Sequence, residues 1–322
     1  MEKTLAITGI SDGILRIRES ATHGKTLAER YGILTLPEEF SDCGMATTGD
    51  SIILKDGRKL PFRIVSGDSD EYNELHESFR EEFKSKFTDY QAIIGAPAEA
   101  SKPSPIPTDT LPPEASYAIR FEISDDARFY GLGEGANDRI ELRGRAYQNW
   151  VRYQYNEIPI PLVISSEGWG IWLNSRARSF VDIGGRVKNE LICLGEDDEL
   201  DLFILSSDSI AGVLKLYTSL TGTPMLLPKW AYGLTYIAPI FATQHDVLAH
   251  AERFRKEHIP CDMFSLEPGW MEKFYDYSTS KKWETKRFHI TDYMTPERAY
   301  IPFIGALHRY GFHLSLWLCI RH

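Results

Sequence analysis

The 322-residue sequence has no apolar run near the roughly 20 residues that a membrane-spanning helix needs. Its first residues, MEKTLAITGISDG, hold one lysine and no sustained apolar stretch. They do not read as a secretory signal, and a cytoplasmic location is expected. Positive charge is scarce: 36 Lys and Arg against 46 Asp and Glu leave a net charge of −10. That balance argues against nucleic acid, which calls for a basic stripe, and against an anionic membrane surface. Cysteine is limited to Cys43, Cys193, Cys261 and Cys319, with no C-x-x-C spacing. Zinc ribbons and dithiol redox motifs are thereby excluded, and buried, reduced thiols are the plain reading. Nine histidines include no H-E-x-x-H or similar spacing, so neither a metal nor another cofactor is expected. Gly131, Gly133 and Gly135 form G-x-G-x-G, without the strand–helix setting and later glycine of a phosphate-binding loop, and read as turn chemistry.

The length is enough for two domains, and 43% hydrophobic with 25% charged residues is ordinary for a globular chain. Aromatic content of 12% suits sugar-binding clefts, but equally suits all-β cores. Segments such as SIILKDG, YAIRFEIS, IPLVISS, GWGIWLNS and LDLFILSS are short, rich in β-branched and aromatic residues, and parted by turn signals. Many such strands with few helices predict a β-sandwich over residues 1–225. The run at 96–115, dense in Pro, Ser and Ala, predicts an extended loop. The charged EYNELHESFREEFKSKF before it predicts a surface helix.

Near Ser207 the character changes. SDSIAGVLKLYTSLTG has a capping Ser or Asp, apolar residues at helical spacing and Gly222 to end it. YGLTYIAP then reads as a strand, Thr243 caps the helix QHDVLAHAERFRKEH, and DMFSLEP is the next strand. PERAYIPFIGALHRYG predicts a further helix and HLSLWLCI a third strand. The alternation means parallel strands with right-handed crossovers. A (β/α) barrel needs eight strands and about 250 residues, so residues 226–322 are read as its start, truncated after the third strand.

An ordered set of segments resembles glycoside hydrolase family 31, with its α-glucosidases, α-galactosidases and α-xylosidases. Phe129–Glu134 is similar to the family's FYGLGE segment. Tyr155–Pro161 with Gly168–Ile171, and Leu220–Pro224 with Leu227–Gly233, match the stretches that follow it and lead into the barrel. Trp270, Lys281–Trp283, Arg287–Phe288 and Gly311–Trp317 resemble the second and third barrel strands and their connection. The resemblance implies a galactose-mutarotase-like β-sandwich followed by a (β/α)8 TIM barrel. It also implies retaining hydrolysis of an α-glycoside, and it admits a homo-oligomer. The family's nucleophile and acid/base fall beyond the last residue given, so neither role is assigned in this chain. Two rival readings are a carbohydrate-binding or regulatory protein without hydrolysis, and an inactive fragment of a longer enzyme.

Such hydrolysis needs two carboxyl groups about 5–5.5 Å apart. The barrel segment offers Asp262, Glu267, Glu272 and Asp276. Met263, Ser265 and Glu267 share one strand face, and Glu267 falls at the C-terminal end, where barrel enzymes place their sites. The resemblance matches Glu267 to a substrate-hydroxyl acceptor that is usually Asp; a salt-bridged rim carboxylate is the bland alternative. His313, Ser315, Trp317 and Cys319 form the expected lumen row, opposite Leu314, Leu316, Leu318 and Ile320. Trp317 and Trp270 are candidate walls for a sugar, with core packing and a barrel-end cap as the rivals. Asn149, Trp150 and Tyr155 lie on a sandwich loop that the resemblance associates weakly with the site mouth.

Overall fold

The computed structural model describes residues 3–21, 24–84, 117–135, 139–151, 156–175, 177–197, 199–288 and 301–318. The Pro/Ser-rich run at 96–115, Tyr155, residues 296–300, Cys319 and Ile320 lie outside them. The chain divides into two compact units, Met1–Thr223 and Pro224–His322.

Two antiparallel sheets build the first unit. One comprises β1 (Thr4–Ser11), β2 (Ile14–Ser20), β7 (Phe129–Gly135), β9 (Asn156–Ser165), β10 (Trp169–Leu173) and β13 (Leu200–Ser206). Its spatial order is β1-β2-β13-β10-β9-β7. The other comprises β3 (Ala46–Thr48), β4 (Ser51–Ile53), β5 (Lys59–Ser66), β6 (Tyr117–Glu122), β8 (Arg145–Asn149), β11 (Ser179–Ile183) and β12 (Glu190–Gly195). It runs β3-β4-β5-β6-β12-β11-β8. Alternation along each strand sends one row inward. Ile17, Ile171, Leu202 and Ile204 from the first sheet form one core with Ile119, Phe121, Leu191 and Cys193 from the second.

A helix covers part of each outer face. The charged helix α2 (Asp70–Lys84) is more than a surface element. Its Tyr72, Phe79 and Phe83 recur at helical spacing and are buried with Phe180 and Leu194. On the other sheet, α3 (Ile210–Thr221) lays Val213 and Leu220 over Trp172, Phe203 and Leu205. Ser209 caps α3 by accepting the Gly212 N–H, and Gly222, at φ +87°, ends it. A single-turn helix, α1 (Leu27–Arg30), starts in a capping box between Thr26 and Glu29.

The G-x-G-x-G run belongs to β7. Gly131 (φ +124°) and Gly133 (φ +77°) carry a register shift against β9. A Cβ there would collide with the carbonyl oxygens of Leu162 and Ile158, so only glycine lets the two strands approach this closely.

The second unit holds three parallel strands, β14 (Thr235–Ile237), β15 (Met263–Leu266) and β16 (His313–Leu316), side by side in chain order. Helix α4 (Gln244–Lys256) lies between β14 and β15 in sequence, and α5 (Ile301–Arg309) precedes β16. Thr243 opens α4 through a capping box with Asp246. Phe264 and Leu266 of β15 pack with Val247 and Ala251 of α4 and Phe303 and Leu307 of α5. The opposite row aligns Ile237, Ser265 and Ser315 across the three strands. Among the described residues no helix is long and apolar enough to cross a membrane.

Candidate functional site

Parallel β/α sheets place their sites beyond the carboxyl ends of the strands. β15 ends at Leu266, and Glu267 continues the Met263–Ser265 row before the 3-10 turn Pro268–Trp270. One strand over, the Trp317 N–H donates to the Leu266 carbonyl at 2.9 Å. Glu267 and Trp317 therefore end two neighbouring strands at the same level. Glu267 is half-buried, and among the described residues its carboxylate takes no hydrogen bond and no ion pair. A part-buried carboxylate in that state has all its acceptor sites available to a ligand.

Trp270 occupies a different place. It is 5% exposed and packs on Trp283 with ring centroids 5.1 Å apart. Its Nε1–H donates to the Trp317 carbonyl at 2.8 Å. Its ring is thus held in the core beneath the rim, where it fixes the backbone that carries Trp317. The following loop is closely tied. The Glu272 N–H donates to the Lys282 carbonyl and the Glu284 N–H to that of Trp270. Arg287 donates to the Gly269 carbonyl from Nε at 2.9 Å and Nη2 at 2.6 Å. A side chain at Gly269 would collide with the Ile240 carbonyl, so the two loops meet backbone to backbone.

An aromatic run that sequence reasoning missed extends from Trp317, itself 36% exposed. Tyr275 meets its indole edge-on at 5.2 Å, Phe274 meets Tyr275 at 4.5 Å, and Phe241 lies 5.6 Å from Phe274. All four rings are at least partly open to solvent. Tyr275 has φ +55°, a left-handed conformation that costs a bulky residue about 1–3 kcal/mol and recurs at functional sites. The signal in the sequence is KFYDY, three aromatics in a loop rather than a strand.

The other carboxylates are less suited. Asp262 precedes β15, at the opposite strand end from Glu267. Asp276 accepts the Ser278 N–H at 2.8 Å, and that bond holds its carboxyl below the usual range. Glu272 is exposed on the loop. At the amino end of β16, His313 stacks on Trp230 at 3.7 Å. Asn149 ends β8 and is buried, and Trp150 after it is half-buried; both belong to the first unit. Among the described residues no three His, Cys, Asp or Glu stand close enough to hold a metal ion.

Residues 4–182 match the glycosyl hydrolase 31 N-terminal galactose mutarotase-like domain. Residues 224–320 match the glycosyl hydrolases family 31 TIM-barrel domain. The chain is 28% identical over 207 residues to an α-xylosidase of Saccharolobus solfataricus, covering 61% of this chain and 26% of the relative. It is 25% identical to an α-xylosidase of Emericella nidulans, covering 62% and 25%. The chain thus spans about a quarter of the length of these curated relatives. Among solved structures, a family 31 dextranase from Flavobacterium johnsoniae superposes with a TM-score of 0.65 at 17% identity, over 98% of this chain and 36% of that one. A family 31 α-xylosidase from a soil metagenome gives 0.65 at 18%, over 98% and 44%.

Proposed function

Because the chain belongs to glycoside hydrolase family 31, we propose that it serves retaining hydrolysis of α-linked glycosides, with Glu267 and Trp317 as the substrate-binding residues of its barrel unit. On this reading residues 1–225 are the sandwich domain and residues 226–322 the barrel portion. The observation that carries the assignment is the Glu267 carboxylate, half-buried at a strand end with no protein partner among the described residues.

Retaining hydrolysis proceeds by attack of one carboxylate on the anomeric carbon while a second carboxyl protonates the leaving oxygen. Water then opens the glycosyl ester with the second group acting as base. We assign neither role to Asp262, Glu267, Glu272 or Asp276. Glu267 has the acceptors to take hydrogen bonds from sugar hydroxyls and so orient the ring before reaction. Trp317 and Tyr275 offer faces and edges on which the apolar side of a pyranose stacks, while Trp270 positions Trp317. Three curated relatives are named α-xylosidases, which makes α-xylosides the first ligands to test.

Calorimetric titration with methyl α-xyloside and methyl α-glucoside tests the reading. Saturable binding is expected. It should weaken roughly tenfold or more in Glu267→Gln, since a hydrogen bond to a charged acceptor is worth about 1.5–3 kcal/mol. Binding that ignores the substitution refutes the assignment. Turnover of chromogenic α-glycosides that vanishes in Glu267→Gln would instead make Glu267 a reacting group.

A further inference from the structure

The outer face of the first sheet is only partly covered by α3. Beyond Phe203 the outward row turns polar: Arg16 and Arg18 on β2, Asp201 on β13 and Asn174 after β10. A cavity of about 520 Å³ opens over this stretch, within the size range of small-molecule sites. Asn174, Asp201, Ile160 and Tyr217 line it together with Thr26 and Tyr31 of the segment around α1.

Its charge is balanced. The lining holds Arg18, Lys25 and Arg30 together with Asp197, Glu199 and Asp201, three charges of each sign. Arg18 is paired with Glu199 at 2.8 Å, and Asp201 accepts from Arg16 at 2.6 and 2.7 Å. An ionic ligand would therefore gain no net field. Neutral hydrogen-bonding capacity remains. Asn174 spends one amide hydrogen on Asp201 at 2.6 Å, and its amide oxygen has no partner among the described residues. Aromatic surface borders these groups: Tyr217 packs edge-on against Trp172, and Tyr31 is 77% exposed at the rim. A pyranose presents hydroxyls at its edge and C–H groups on its face, which is the chemistry that such a mixed lining accepts.

From the cavity between Thr26–Tyr31, Asn174 and Tyr217, we infer that the sandwich unit carries a binding site for a neutral oligosaccharide. The inference stands on the first unit alone and does not rest on the role given to Glu267. The test titrates maltotriose, and gluconate as a charged control, into the full chain carrying Glu267→Gln, so that loss of the barrel-unit contact cannot be mistaken for loss of this one. Maltotriose should bind saturably and gluconate at least tenfold more weakly. Tyr31→Ala and Asn174→Ala should each weaken maltotriose roughly three- to tenfold, the worth of a stacking contact or a hydrogen bond. Ile160→Trp, which fills the cavity, should abolish binding. Tyr31 is too exposed for its substitution to disturb folding, which keeps the test valid if the Ile160 variant is unstable. No maltotriose binding in the Glu267→Gln chain overturns the proposal. So does binding indifferent to Tyr31→Ala and Asn174→Ala, or gluconate binding as tight as that of the sugar.

Discussion

Asp201→Ala should destabilise the sandwich unit by about 3 kcal/mol, at the lower end of the roughly 3–5 kcal/mol that breaking a buried ion pair costs. Asp201 is 3% exposed. It accepts Arg16 Nε at 2.6 Å, Arg16 Nη2 at 2.7 Å and Asn174 Nδ2 at 2.6 Å. Burial works against the charge of Arg16, but bonds to Asp201 and then Glu29 outweigh it and raise its pKa. Without Asp201 the guanidinium stays in place with Glu29 alone, 3.3 Å away, and that remaining partner sets the lower end of the range. For a unit of this size each kcal/mol lowers Tm by about 2–4 °C, so scanning calorimetry should record a fall of about 6–12 °C in the sandwich transition. The double variant Arg16→Met/Asp201→Leu removes both charges and should recover to within about 1 kcal/mol of wild type. A shift under about 2 °C for Asp201→Ala, or a double variant no better than the single, would refute the reasoning.

Three further outcomes follow from local geometry. Gly131→Ala sets a Cβ against the Leu162 carbonyl at φ +124°, and chemical denaturation should show a loss of about 2–4 kcal/mol. Trp270→Phe removes the indole hydrogen bond to the Trp317 carbonyl; urea unfolding should show a loss of about 1–2 kcal/mol, and titration a weaker sugar affinity through the misplaced Trp317. The Arg63 and Arg120 guanidiniums beside Glu71 lower its carboxyl from 4.5 to about 2. Its contribution is therefore complete above pH 4.5 and lost as pH falls from there toward 2. With the Glu71 side chain 39% exposed, solvent screening limits the effect to about 1 kcal/mol. Wild type and Glu71→Gln should thus differ in Tm at pH 7, approach each other as pH falls below 4.5, and converge only below about pH 2.

The strands Tyr117–Glu122, Trp169–Leu173 and Leu200–Ser206 were legible because short runs rich in β-branched and aromatic residues, parted by turn signals, suit strands buried in a sheet. So were the helix caps, a Ser or Asp ahead of Ile210 that proves to be Ser209, and Thr243, which are local chemistry. What was hidden depends on tertiary neighbours. The charged segment predicted a surface helix, and only the outer face of a sheet reveals that its Tyr72, Phe79 and Phe83 are covered. Arg16 and Asp201 carry no local signal, and only their pairing across two strands, 185 residues apart in sequence, makes them a buried unit. The position of Glu267 at a strand end followed from the hydrophobic run before it. The burial of Trp270 and the rings reaching Trp317 from Phe241, Phe274 and Tyr275 did not, because loop geometry decides them.

The place of β13 has a consequence for how the sandwich is made. It pairs with β2 on one side and β10 on the other, so residues 200–206 separate the first hairpin from the rest of its sheet. As a chain emerges from the ribosome, β1 and β2 can join early, yet the inner edge of β2 has no partner until almost the whole unit has been synthesised. Closure across so long a loop is slow, and an unpaired edge invites pairing with another chain. The sheet therefore completes late and in one step. The alternating arginines of β2, Arg16 and Arg18, add charge to its waiting edge, a device that discourages aggregation before β13 arrives.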